Sequence, residues 1–142
     1  MNKILVIENS IRTSRTGPVL KELNLPLFDH IIGLSQKHPV DGVLYAIDIH
    51  RRLKEITLRE YALALVDGSV HGSVRIPDII QVLQSYGILC VGISNMYYDV
   101  LKHCGAIVSK ERRQIYEFLR TELPGIYEDA CRQKLEHSRS VA

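Results

Sequence analysis

Four polar side chains in this sequence stand directly behind short apolar runs, and together they are of the types that handle phosphoryl groups. Glu8, with Asn9 beside it, follows Ile4-Leu5-Val6-Ile7; Asp67 follows Leu63-Ala64-Leu65-Val66; Ser94 follows Ile93; and Lys110 closes Ala106-Ile107-Val108-Ser109. Apolar runs of this length suit strands buried on both faces, as in a parallel sheet. The carboxyl ends of such strands share one edge, and that edge is where ligands sit in open α/β sheets. Gathered there, carboxylates can hold a hard cation such as Mg²⁺ through oxygen. A lysine can neutralise a phosphoryl group and a serine can hydrogen-bond it.

The elements that must position these residues can be read from periodicity and punctuation. Strands are expected at Lys3–Ile7, weakly at residues 28–34, at Tyr61–Val66, at 88–93 and at 106–109. Helices are expected at 15–23, with Pro18 in the first turn and Asn24 and Pro26 ending it, and at 77–86, started by Pro77 and stopped by Gly87. Val43, Leu44, Ile47, Leu53 and Ile56 recur at helical spacing, so a helix is expected from Asp41, with Asp41 as its N-cap. A short helix is expected at 97–103, stopped by Gly105, and a longer one at 111–123. Pro124-Gly125 is expected to break the chain there, with one more helix at 126–136 and a frayed tail. Five alternations of strand and helix imply βαβ units and a parallel sheet covered on both faces.

Composition bounds the rest. The chain has 142 residues, 46% of them hydrophobic, the size and content of one domain with one sizeable interior. Eighteen basic and sixteen acidic residues leave a net charge of +2, which draws the chain neither to nucleic acid nor to an anionic membrane. Cys90, Cys104 and Cys131 have no disulfide-framework spacing, and reduced thiols in a cytoplasm are expected. No signal peptide and no membrane span are expected. The histidines have no metal spacing and read mostly as surface residues, although the loop carrying His71 is expected to border Asp67. Ser94-Asn95 also suits an N-cap for the following helix.

Over residues 3–123 the chain resembles a response-regulator receiver domain. Lys3-Ile4-Leu5-Val6-Ile7-Glu8-Asn9 is similar to that family's first strand and acidic pair, and Tyr61-Ala62-Leu63-Ala64-Leu65-Val66-Asp67 to the strand that ends in the phospho-accepting aspartate. Ile93-Ser94 matches the strand-four hydroxyl residue, and Gly105-Ala106-Ile107-Val108-Ser109-Lys110 the strand-five lysine. The resemblance implies a flavodoxin-like, doubly wound, five-stranded parallel sheet in the order 2-1-3-4-5, with residues 124–142 as a C-terminal helical extension. It implies Asp67 as phosphoryl acceptor from a histidine kinase or a small phosphodonor. Glu8, Asp67 and the Ser69 carbonyl would hold Mg²⁺, Lys110 would stabilise phosphoryl charge, and Ser94 would carry the switch. Enzymatic activity would be at most self-phosphorylation and slow autodephosphorylation.

Four positions depart from that pattern. Asn9 replaces one acid, His71 stands where a proline is usual, Glu111 follows Lys110 in place of a proline, and Ile107 takes the place of the aromatic switch residue. They favour a second reading, a pseudo-receiver that binds partners without phosphorylation. No output domain is expected after Leu123, so either reading works through the domain's own surface, by homodimerising or by docking on another signalling protein.

Overall fold

The computed structural model describes residues 2–9, 15–25, 27–68 and 73–140. Ser69 and His71, singled out above, lie outside these residues, as does Pro26. The elements run β1 (Lys3–Ile7), α1 (Thr16–Glu22), β2 (Phe28–Leu34), β3 (Val43–Asp48), β4 (Leu53–Thr57), a 3₁₀ turn (Leu58–Glu60), β5 (Tyr61–Val66), α2 (Ile76–Ser85), β6 (Leu89–Gly92), α3 (Tyr98–His103) and α4 (Ile115–Ser140). The fold is α/β, with a six-stranded mixed sheet in the order β4-β3-β2-β1-β5-β6.

The expected five-stranded, all-parallel sheet is thus corrected in two places. Its parallel heart stands: β2, β1, β5 and β6 are neighbours in that order, all parallel. The fifth strand shrinks to a single parallel bridge between Ile107 and Val91. The helix expected from Asp41 is instead a pair of antiparallel strands, β3 and β4, added beside β2.

The local chemistry explains that second difference. Asp41 and Gly42 both have positive φ, 54° and 76°, and the Val40 and Val43 amides and carbonyls bond each other across them. An Asp-Gly pair in this geometry makes a tight reversal that starts a strand, not a helix cap. A second reversal follows, where Asp48 Oδ1 accepts the amides of His50 and Arg52 at 2.8 and 2.9 Å and Arg51 takes φ 61°. Between the two, Leu44, Ala46 and Ile56 are buried while Tyr45, Leu53 and Glu55 are exposed, the period of two of a half-buried sheet.

The sheet separates two apolar layers. Leu5, Ile7, Ala64 and Val66 face Leu44 and Ile56 of the hairpin and Ile79 and Leu83 of α2. Ile4, Val6, Leu63 and Leu65 face Val19 and Leu20 of α1 and Leu119 and Leu123 of α4. Helices therefore cover both faces, as expected.

The helix after residue 114 runs unbroken to Ser140 with Pro124 inside it, so the break expected at Pro124-Gly125 is absent. Proline at 124 removes one intrahelical hydrogen bond. Leu119, Leu123, Ala130 and Lys134 are nevertheless all buried at helical spacing on both sides of it. Packing of one continuous stripe outweighs the local cost. By contrast Gly87 and Gly105, at φ 72° and 90°, end α2 and α3 as their positions suggested.

Only the 3₁₀ turn joins β4, on the far edge of the sheet, to β5 near its middle. A charged cluster at the amino-terminal side of β1 ties β4 to β2, β1 and β5. Asp29 of β2 accepts the Tyr61 hydroxyl at 2.6 Å and lies 3.5 Å from both Lys3 and Lys54. Burial pushes the Asp29 carboxyl up, but the Tyr61 hydrogen bond and the Lys54 and Lys3 charges outweigh it and hold it below the usual carboxylate range.

Such a group stabilises the fold above its ordinary pKa and stops doing so as pH falls through its lowered native value. Tyr61→Phe is therefore expected to cost about 2 kcal/mol in urea denaturation near neutral pH. The cost shrinks in acid, once Asp29 is protonated in both folded and unfolded chains.

Candidate functional site

Backbone pairing brings three of the singled-out residues to one edge. Ile7 and Val66 are in register, and so are Val66 and Gly92. Just beyond them the Asp67 amide donates to the Ile7 carbonyl at 2.9 Å, the Glu8 amide to Ile31 at 3.0 Å, and the Ile93 amide to Val66 at 2.9 Å. Glu8 and Asp67 thus occupy equivalent positions on neighbouring parallel strands, with Ser94 one residue past Ile93. That convergence follows from the strand order alone.

The Glu8 side chain contacts α1 and β2. Glu8 is only 4% exposed, and its carboxylate accepts the Thr16 hydroxyl at 3.4 Å. Its other oxygen lies 3.5 Å from His30 Nε2, and that nitrogen is also 3.3 Å from the Glu8 carbonyl. Burial lowers the His30 imidazole below its ordinary value, and the hydrogen bond to the Glu8 carbonyl opposes this only in part. His30 and Thr16 were not singled out in the sequence. Val6 pairs with His30 and Ile7 with Ile31, a register visible only once β1 and β2 are aligned.

Ser94 is buried, and its Oγ accepts the Tyr97 amide at 3.1 Å just before α3. The bond closes the turn at 95–97; the N-cap of α3 is Tyr97, so Ser94 is not the N-cap expected for that helix. The Tyr97 ring lies against Gly68, so tightly that a Cβ at 68 would overlap it. The residue after Asp67 is therefore covered by an aromatic ring held through Ser94. Tyr97 was missed as part of this edge, because nothing in its sequence neighbourhood links it to residue 68.

Lys110 is exposed. It lines a cleft of about 520 Å³ with Ile107, Glu111, Glu117 and Phe118, between the segment after Ile107 and the start of α4. Ser109 ties this segment down. Its carbonyl accepts the Tyr98 hydroxyl at 2.8 Å, and its Oγ bonds both the carbonyl and the amide of Glu111. Short of a full fifth strand, Lys110 is carried by a loop.

Mg²⁺ takes a near-octahedral set of oxygen donors and keeps several waters. Among the described residues no group of three or more acidic, histidine or cysteine side chains is placed to hold an ion. Glu8 is shared with Thr16 and an imidazole. Ser69, the third member of the expected ligand set, lies outside the described residues. No helix among them is long and apolar enough to cross a membrane.

Comparison with protein-family models, with curated proteins and with solved structures gives no match.

The His30 environment has a pH consequence. Because its native value is lowered, the unfolded chain binds the proton first, so stability falls as pH drops below about 6.5. His30→Gln is expected to flatten urea midpoints between about pH 7 and pH 5 relative to the wild type.

The Tyr97 contact predicts a second effect. Gly68→Ala overpacks the edge and is expected to cost on the order of 2 kcal/mol. In a Tyr97→Gly background, which also removes the Cβ that Gly68 faces, the same change is expected to cost little, a coupling that a double-mutant cycle measures.

Proposed function

We propose that the chain is a receiver-like protein-interaction module whose binding does not depend on phosphorylation. The observation that carries this is the capture of the Ser94 hydroxyl by the Tyr97 amide, with the Tyr97 ring against Gly68. In a working receiver that hydroxyl must be free to move to a phosphoryl group, and a lysine must meet the same group. Here the lysine, Lys110, is exposed on a loop and lines a cleft with Glu111, Glu117 and Phe118. Asn9 leaves Glu8 without the second acid, and Glu8 is itself enclosed by Thr16 and His30. The parallel order β2-β1-β5-β6 with helices on both faces supports the receiver-like part of the reading. The hairpin in place of a second helix sets it apart from the flavodoxin-like pattern. The partner on this reading is another signalling protein, such as a histidine kinase, or a second copy of the chain.

A second reading is favoured by one observation. Glu8 and Asp67 stand at equivalent positions on paired parallel strands, the arrangement in which an aspartate accepts a phosphoryl group beside a neighbouring acid. On that reading Asp67 is the acceptor in phosphorylation-dependent signalling, Glu8, Asp67 and Ser69 hold Mg²⁺, and Ser94 and Lys110 rearrange to join them.

Amide spectra of the wild type and of Asp67→Asn, with Mg²⁺ and beryllofluoride added, separate the two. The interaction-module reading expects no saturable shifts at Asp67, Ser94 or Tyr97 in either protein. Saturable shifts in the wild type that vanish in Asp67→Asn would overturn it in favour of the acceptor reading.

A further inference from the structure

Away from the sheet edge, three basic side chains from two elements meet with no acid between them. Arg59 comes from the 3₁₀ turn, and Lys134 and His137 come from successive turns of α4. With Ser85, Tyr86 and Ser138 they line a cleft of about 530 Å³, and no carboxylate among the described residues lines it.

Lys134 is the unusual member. It is only 7% exposed, in a class of side chain that is almost never buried without a counter-charge. Its Nζ donates to the Tyr86 carbonyl at 2.6 Å and to the Leu58 carbonyl at 3.4 Å. An ammonium has three N–H donors, so one is left over. Neither Lys134 nor Arg59 forms an ion pair among the described residues, although Asp29, Glu8 and Glu22 all have cationic or imidazole partners.

A purely structural role, a lysine joining two carbonyls where the 3₁₀ turn and the end of α2 meet α4, accounts for two of its three donors. It does not account for Arg59. Burial, and then the Arg59 charge, push the Lys134 ammonium below the ordinary lysine value. A second cation beside a buried one is unfavourable, and an anion bound between them would offset that cost. The cleft is also shaped by close packing. Gly87, at φ 72°, lies so near His137 that a Cβ there would come within 2.6 Å of the ring, which holds the imidazole at the rim.

We propose that this cleft is an oxyanion site that takes the phosphate group of a small soluble ligand, held by Arg59, Lys134 and His137. Arginine supplies the planar fork that matches phosphate oxygens, and lysine supplies a point charge behind it. The serine hydroxyls at the rim are of the type that completes such a shell, though Ser85 and Ser138 now donate to the Val82 and Lys134 carbonyls. The site is independent of Asp67 and stands whether or not the receiver-like reading does.

The test is a titration of the full chain with inorganic phosphate at constant ionic strength, read by amide shifts at Arg59, Tyr86, Gly87 and Lys134. Saturating shifts are expected, with chloride giving none and acetate binding at least about tenfold more weakly. Arg59→Gln changes an exposed side chain and leaves the two carbonyl contacts of Lys134 in place, so it is expected to keep the fold and weaken phosphate about tenfold. His137→Gln is expected to weaken it by a smaller factor. Linear, unsaturable shifts with phosphate would overturn the proposal, as would an Arg59→Gln affinity within twofold of the wild type or acetate binding as tightly as phosphate. Phosphatidylcholine vesicles carrying phosphatidate form the second arm. Arg59-dependent sedimentation with them would overturn the soluble source and assign the phosphate to a lipid headgroup.

Discussion

A single five-residue strand constrains this molecule more than any other element. β1 is hydrogen-bonded to β2 on one side and β5 on the other, and Ile4, Leu5, Val6 and Ile7 have no exposed surface. A strand buried on both faces and paired on both edges leaves no unsatisfied backbone groups and buries about 25 cal/mol of favourable transfer per Å² of apolar area. Its alternating side chains assign every neighbour to one of two layers. Leu5 and Ile7 belong with α2 and the hairpin, Ile4 and Val6 with α1 and α4. A one-residue slip would exchange the layers.

The same pairing explains why polar residues collect at the carboxyl edge and why they are then occupied. Parallel strands that stop together must turn out of the sheet together, and each exit needs hydrogen bonds. Ser94 supplies one to the Tyr97 amide, and Glu8 receives one from Thr16. The opposite edge shows the contrast. There Lys3, Lys54 and Tyr61 converge on Asp29 and Lys3 also meets Glu60, two cations set against two carboxylates. At the Arg59–Lys134 cleft the charges are of one sign. Two clusters in one fold, one neutralised and one not, differ in what they ask of solvent or ligand.

Much of the framework was legible in the residues. Short β-branched and apolar runs marked β1, β2, β5 and β6, because strands buried on both faces need no partner pattern to be recognised. Pro77, Gly87 and Gly105 marked helix ends through backbone conformations that few other residues adopt. The hairpin was not legible in the same way. Val43, Leu44 and Ile47 satisfy a helical repeat, while Leu44, Ala46 and Ile56 satisfy an alternating one, and the Asp41-Gly42 reversal that decides between them reads equally as a helix start. Pro124 misled in the opposite direction, because a local signal for breakage is weaker than a buried stripe on both sides of it.

The sequence by itself determined the α/β class, the buried strands β1, β2, β5 and β6, and the placing of Glu8, Asp67 and Ser94 at strand ends, all of which follow from short-range patterns of apolar and turn-forming residues. Tertiary structure alone decided which side chains meet. Glu8 with His30, Gly68 with Tyr97, Asp29 with Lys54, and Arg59 with Lys134 are pairs far apart in the chain. Their contacts arise from sheet register and helix docking, which depend on the packing of the whole interior and not on any local run of residues.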